Sequence, residues 1–134
     1  MLKFKKISFL MLLTSLSISA CVIPLTSCQP LYIILRNVDY GNKEKDDGTK
    51  TPANSRMIDA TNSLLYYGNY DFTWSTLPEN APTPQKMKMN DSKYYAHLLL
   101  ESGKVAYTVK VTASIIYQGH SYEESITLIV KAEK

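Results

Sequence analysis

The stretch Tyr107-Thr-Val-Lys-Val-Thr-Ala-Ser-Ile-Ile-Tyr117, then Gln118-Gly119-His120, then Ser121-Tyr-Glu-Glu-Ser-Ile-Thr-Leu-Ile-Val130, decides the fold. Tyr107, Val109, Val111, Ala113, Ile115 and Tyr117 occupy every second position, with Thr108, Lys110, Thr112 and Ser114 between them. Successive side chains of a strand point to opposite faces, so this period of two describes a half-buried strand. Tyr122, Ile126, Leu128 and Val130 alternate in the same way with Glu123, Ser125, Thr127 and Lys131. Two such runs joined by a short Gly-containing turn predict a terminal β-hairpin. Glu124 falls on the apolar set, as expected if the first residues of the second strand run past the edge of the core.

Working upstream, Tyr94, Ala96, Leu98 and Leu100 suit a strand that stops at Glu101-Ser102-Gly103, and Tyr70, Phe72 and Trp74 alternate with Asp71, Thr73 and Ser75 in a short aromatic strand. Between them, residues 77–90 hold Pro78, Pro82 and Pro84, which suits a loop or a broken edge strand. Leu31 to Leu35 opens the set with a β-rich segment, and residues 42–54 form a mixed-charge loop. Residues 56–67 read as a strand plus a turn; the alternative is a helix capped by Ser55 and ended by Gly68. The fold expected over residues 31–134 is therefore all-β, an antiparallel β-sandwich.

The chain has 134 residues, 15 Lys+Arg against 12 Asp+Glu, ten tyrosines, one tryptophan, two cysteines and 45% hydrophobic residues. That is too apolar for a disordered chain and too short for a doubly wound or barrel enzyme. Lys3, Lys5 and Lys6 supply the entire net charge of +3, so the chain is neutral from Ile7 onward. With no clustered arginines in a neutral chain, Lys86 and Lys88 do not make a nucleic-acid patch.

The three lysines begin an address. They precede the apolar run Ile7 to Ala20, and no charged residue follows Lys6 until Arg36. A basic start and an apolar core of this length form a secretory signal, with the lysines held on the cytoplasmic side. Ile18-Ser19-Ala20-Cys21 and Leu25-Thr26-Ser27-Cys28 end the run. Each resembles the lipobox of bacterial lipoproteins, whose cysteine receives a diacylglyceryl thioether and becomes the new N-terminus.

Cys21 is the preferred lipid acceptor because it closes a core of ordinary length, giving a signal of residues 1–20. Cys28 is the alternative, with a signal of 1–27; Leu25 stands three residues before it and Pro24 breaks the helix upstream. Three other fates remain open: an uncleaved membrane anchor, ordinary cleavage after Ala20 to a secreted protein, and a Cys21–Cys28 disulfide. The resemblance implies a protein held on the extracytoplasmic face of a cell membrane by covalent lipid.

Ile58-Asp-Ala-Thr-Asn-Ser63, Tyr70-Asp-Phe-Thr-Trp-Ser75, and Ser102-Gly103 followed by Tyr107-Thr-Val-Lys-Val-Thr-Ala113 resemble bacterial Ig-like and PKD-like extracellular domains. The resemblance implies an Ig-like sandwich in which Trp74 packs under both sheets at a cost of about 3 to 5 kcal/mol if lost. It makes Tyr107 a tyrosine corner, two residues before Val109, and puts Val109 and Val111 in the core. The chain departs from the pattern in three ways. It lacks an Asp-Gly turn after Trp74, Gly103 stands four positions rather than two before Tyr107, and both cysteines precede the domain, so no intersheet disulfide forms.

Neither a nucleophile elbow nor a P-loop occurs, and no catalytic set emerges. His97 and His120 stand alone, without a second His or Cys at ligand spacing, and read as sheet-face and turn residues. Asp46-Asp47-Gly48 lacks the alternating oxygens and closing Glu of a calcium loop. Asn90-Asp91-Ser92 fits a glycosylation triplet, which a bacterial lipoprotein signal sets aside. No metal or cofactor is expected.

Paired tyrosines are the surface feature that suits binding, with Tyr66, Tyr67 and Tyr95 as the candidate contact residues. A tyrosine ring buries area while its hydroxyl keeps a hydrogen bond, which fits a protein or glycan partner. Ordinary cross-strand pairing is the competing role. The expected function is a non-catalytic binding or adhesion module, with an accessory subunit of an envelope or transporter complex as the alternative.

Overall fold

The computed structural model describes residues 30–134, in which Leu31–Lys134 form one compact unit. The expected signal segment and both cysteines lie outside the described residues. Seven strands follow in order: β1 (Ile33–Asp39), β2 (Arg56–Asn62), β3 (Asp71–Leu77), β4 (Gln85–Met87), β5 (Ala96–Leu100), β6 (Tyr107–Tyr117) and β7 (His120–Val130). They make two antiparallel sheets, β1-β2-β5-β4 and β3-β6-β7, packed face to face as a β-sandwich.

β6 and β7 are the hairpin expected from the alternation, in register from Tyr107 opposite Val130 to Tyr117 opposite His120. The connection is only Gln118 and Gly119, both with positive φ (51° and 78°), the backbone that matches the twist of a two-residue hairpin. His120 therefore belongs to β7 rather than to the turn. Glu124 sits opposite Ala113 but is exposed, since β7 is an edge strand and the long side chain leaves past the margin of the sandwich.

The core forms two clusters along the strands. One joins Ile58, Leu98 and Leu100 of the first sheet to Tyr107, Val109, Val111, Leu128 and Val130 of the second. The other joins Leu31, Ile33 and Ala60 to Tyr70, Ala113 and Ile115, and Leu35 and Phe72 pack against both. Residues 56–67 are a strand and a turn, with no helix: Ser55 is buried, and its hydroxyl donates to the Pro52 carbonyl and accepts from the Ser102 amide.

Trp74 is a correction. It lies on the same side of β3 as Phe72 yet is 40% exposed, because β3 is the edge of its sheet. Phe72, one pair of positions earlier, packs into the core instead. Tyr107 does pack there, and its hydroxyl donates to the Glu101 carbonyl at 2.6 Å.

β2 and β5 are buried on both faces, so the alternation that marked β6 is absent from them. Segments outside the sheets cover their outer face. The 42–54 loop is a small hairpin, bridged at Glu44 and Lys50 and tied by Lys45 to Glu101 at 3.0 Å. Residues 88–95 cross the same face, where the Thr61 hydroxyl donates to the Tyr94 carbonyl at 2.9 Å.

Candidate functional site

That covered face holds a network of charges built on one cross-strand pair. Asp59 of β2 lies directly opposite His97 of β5, and its Oδ1 is 2.6 Å from His97 Nδ1. His97 Nε2 is 2.7 Å from Oδ1 of Asp91, which comes from the covering segment. Arg36 of β1 reaches the second oxygen of Asp59, Oδ2, at 3.2 Å. The buried ring is held at each end by a carboxylate oxygen. The Tyr95 ring stacks on the imidazole, 6.1 Å between centres and 12° from parallel, with the Arg36 guanidinium 5.9 Å from its own centre.

Beside this network opens a cleft of about 480 Å³ between β4 and the segment that leads into β3. Tyr95 and His97 form part of its wall, with Asp46, Lys86, Lys88 and Ser92 around them. Lys86 Nζ donates to the Tyr70 carbonyl at 3.2 Å and so links the two sheets at the cleft. The Tyr70 hydroxyl accepts from Asn62 Nδ2 at 2.8 Å; burial pushes its pKa up, and this hydrogen bond works against the shift.

The structure separates the three candidate tyrosines. Tyr66 is a correction: its ring turns inward, edge-on to Tyr117 at 4.8 Å, and packs against the second core cluster. Buried Asn62 holds it there, its Oδ1 accepting from the Leu64 and Tyr66 amides at 3.1 and 2.8 Å while its Nδ2 donates to the Tyr66 carbonyl. Tyr67 is 65% exposed and pairs with Tyr94 at 6.4 Å, with Lys93 Nζ 5.9 and 5.5 Å from the two ring centres. Tyr95 alone borders the cleft.

Sequence reasoning placed His97 on a sheet face and missed both partners. An Asp inside the apolar strand Met57-Ile-Asp-Ala60 was the available signal, but only the β2–β5 register sets it opposite His97. Asp46 and Asp47 take ordinary roles: Asp47 Oδ1 accepts from the Thr49 amide and hydroxyl, which lowers its pKa, and Asp46 lines the cleft. Among the described residues no group of three or more His, Cys, Asp and Glu could hold a metal, and no helix is long and apolar enough to cross a membrane. No protein-family model, curated protein or solved structure matches this chain.

Proposed function

We propose that this chain is a bacterial lipoprotein, anchored through Cys21 or alternatively Cys28, whose Ig-like domain is a non-catalytic binding or adhesion module outside the cell membrane. The Ig-like assignment is supported by strand order: β1-β2-β5-β4 against β3-β6-β7 is the four-plus-three arrangement of constant-type Ig sandwiches. The hydroxyl of Tyr107, reaching back six residues to the Glu101 carbonyl at the start of β6, supports it as a tyrosine corner. The exposed Trp74 is the departure.

The non-catalytic reading is carried by His97. Its two ring nitrogens are occupied by Asp59 and Asp91, so the imidazole beside the cleft has no nitrogen left to take a proton from a substrate or nucleophile. What the cleft does offer is two tyrosines, a serine, lysines and two aspartates, a set suited to polar contacts with a protein or glycan. Two measurements test the reading. Mass spectrometry of the mature N-terminal peptide is expected to find acylated Cys21 or Cys28, and a peptide starting at Met1 refutes the anchor. Pull-down with the full chain against matrix proteins, glycans and envelope extract is expected to retain an extracellular protein or glycan, with retention weakened by Lys88→Glu. Retention by envelope components alone points instead to an accessory subunit.

A further inference from the structure

We infer that the end of the sandwich bearing Tyr32, Leu65, Tyr67, Lys93 and Tyr94 rests on the bilayer that holds the chain, with these side chains seated in the headgroup layer. The inference rests on the lipid-anchor reading above and adds an orientation to it.

The five residues converge from three segments on one end. Tyr32 immediately precedes β1 and exchanges hydrogen bonds with Ser63, just past β2: its amide donates to the Ser63 hydroxyl and its carbonyl accepts the Ser63 amide. Leu65 and Tyr67 follow in that turn, and Lys93 and Tyr94 precede β5. Tyr32, Leu65 and Tyr94 are 60%, 57% and 42% exposed. Leu65 also has φ of 53°, a left-handed backbone that suits Gly or Asn and is strained for leucine. A branched apolar side chain held outward at a strained turn tip gains nothing in water, which makes it a pointer to a partner.

Chain connectivity selects the partner. The described chain enters the sandwich at this same end, where Leu31 leads into β1. At about 3.3–3.6 Å per residue, Leu31 lies no more than about 10 Å of chain from Cys28 and about 35 Å from Cys21. A tether this short presents the end to the membrane at high effective concentration, so modest contacts suffice. Tyrosines suit that depth because the ring enters the interface while the hydroxyl stays wet, leucine adds apolar burial, and Lys93 is drawn to anionic headgroups. The opposite end, where the chain leaves β7, also exposes Leu77 and Val105 beside Lys131, Glu133 and Lys134, but no tether leads from it to the cysteines.

Hydrogen exchange on the acylated mature chain in vesicles of zwitterionic and anionic phospholipid tests this, with the chain begun at position 21, without the apolar run and carrying Cys21→Ser/Cys28→Ser, in the same vesicle suspension as the unanchored reference. Amides of residues 63–68 and 93–95 are expected to exchange severalfold more slowly in the anchored chain, and residues 101–106 at the same rate in both. Leu65→Ser/Tyr67→Ser/Tyr94→Ser, acylated and with unchanged exchange of the core amides of residues 107–113, is expected to lose the protection. An acylated wild-type chain with no slowing at 63–68 overturns the orientation and leaves the anchor standing. A chain carrying no acyl group overturns both.

Discussion

His97 Nδ1 lies 2.6 Å from Asp59 Oδ1, across the β5–β2 pairing and beneath the segment that carries Asp91. The contact makes one buried imidazole serve two purposes. It gives a buried carboxylate on an inner strand a hydrogen-bond partner, and it fastens a covering loop to a sheet whose outer face would otherwise be wet. An unpaired charge at that depth costs several kcal/mol, so the pair is expected to dominate local stability.

Replacing His97 by Gln leaves one amide where two ring nitrogens stood, and it cannot span both carboxylates. The expected loss is about 3 kcal/mol in denaturant unfolding, together with faster exchange of amides 92–95. Asp91→Asn should cost less, about 1 kcal/mol or below, because the Asp91 side chain is 55% exposed. A His97→Gln chain as stable as wild type would show that the network is ornamental.

Tyr107 gives a pH dependence at the alkaline end. Burial, with a smaller contribution from the Glu101 carboxylate, pushes its phenol up to about 12, whereas an unfolded tyrosine titrates near 10. The unfolded chain therefore loses its proton first, and stability is full below about pH 10 and falls progressively toward pH 12. Tyr70 is shifted in the same direction by burial and adds to the effect. Tyr107→Phe is expected to flatten the decline while costing about 1 kcal/mol at neutral pH for the lost bond to the Glu101 carbonyl. Unfolding midpoints at pH 8, 10 and 11.5 provide the check.

As the single tryptophan, Trp74 reports its own position. Its emission is expected to be red-shifted and accessible to a soluble quencher in the native state. Trp74→Ala should cost about 1–2 kcal/mol, below the cost of Leu98→Ala at about 2–5 kcal/mol, since Leu98 is fully buried between the sheets. A blue-shifted, unquenched Trp74 would return it to the core.

Asn62→Ala removes the side chain that folds the turn after β2. Two amides, one carbonyl and the Tyr70 hydroxyl lose their partner together, with an expected cost of about 2–3 kcal/mol and faster exchange at residues 64–66. Asn62→Asp keeps the two accepted bonds and should recover part of that stability.

The sequence by itself determined the hairpin, because alternation over Tyr107–Val130 admits one face toward a core, and it pointed to the all-β class through prolines and short alternating runs, leaving only residues 56–67 open between strand and helix. The anchor proposal rests on the lipobox-like residues 18–28 alone, without help from the fold. Only the tertiary structure decided what the strands of the other sheet do. Ala96-His-Leu-Leu-Leu100 has no period of two, since both of its faces are covered, and a buried strand of this kind conceals which side chains meet. Register then paired Asp59 with His97, chain reversal brought Asp91 to the far side of the ring, and edge position left Trp74 half in solvent while Phe72 filled the core. Tyr66 and Tyr67 show the same division: adjacent and identical in sequence, one is drawn inward by Asn62 and Tyr117 and the other is left on the surface, because the direction of a side chain in a turn depends on partners distant in the chain.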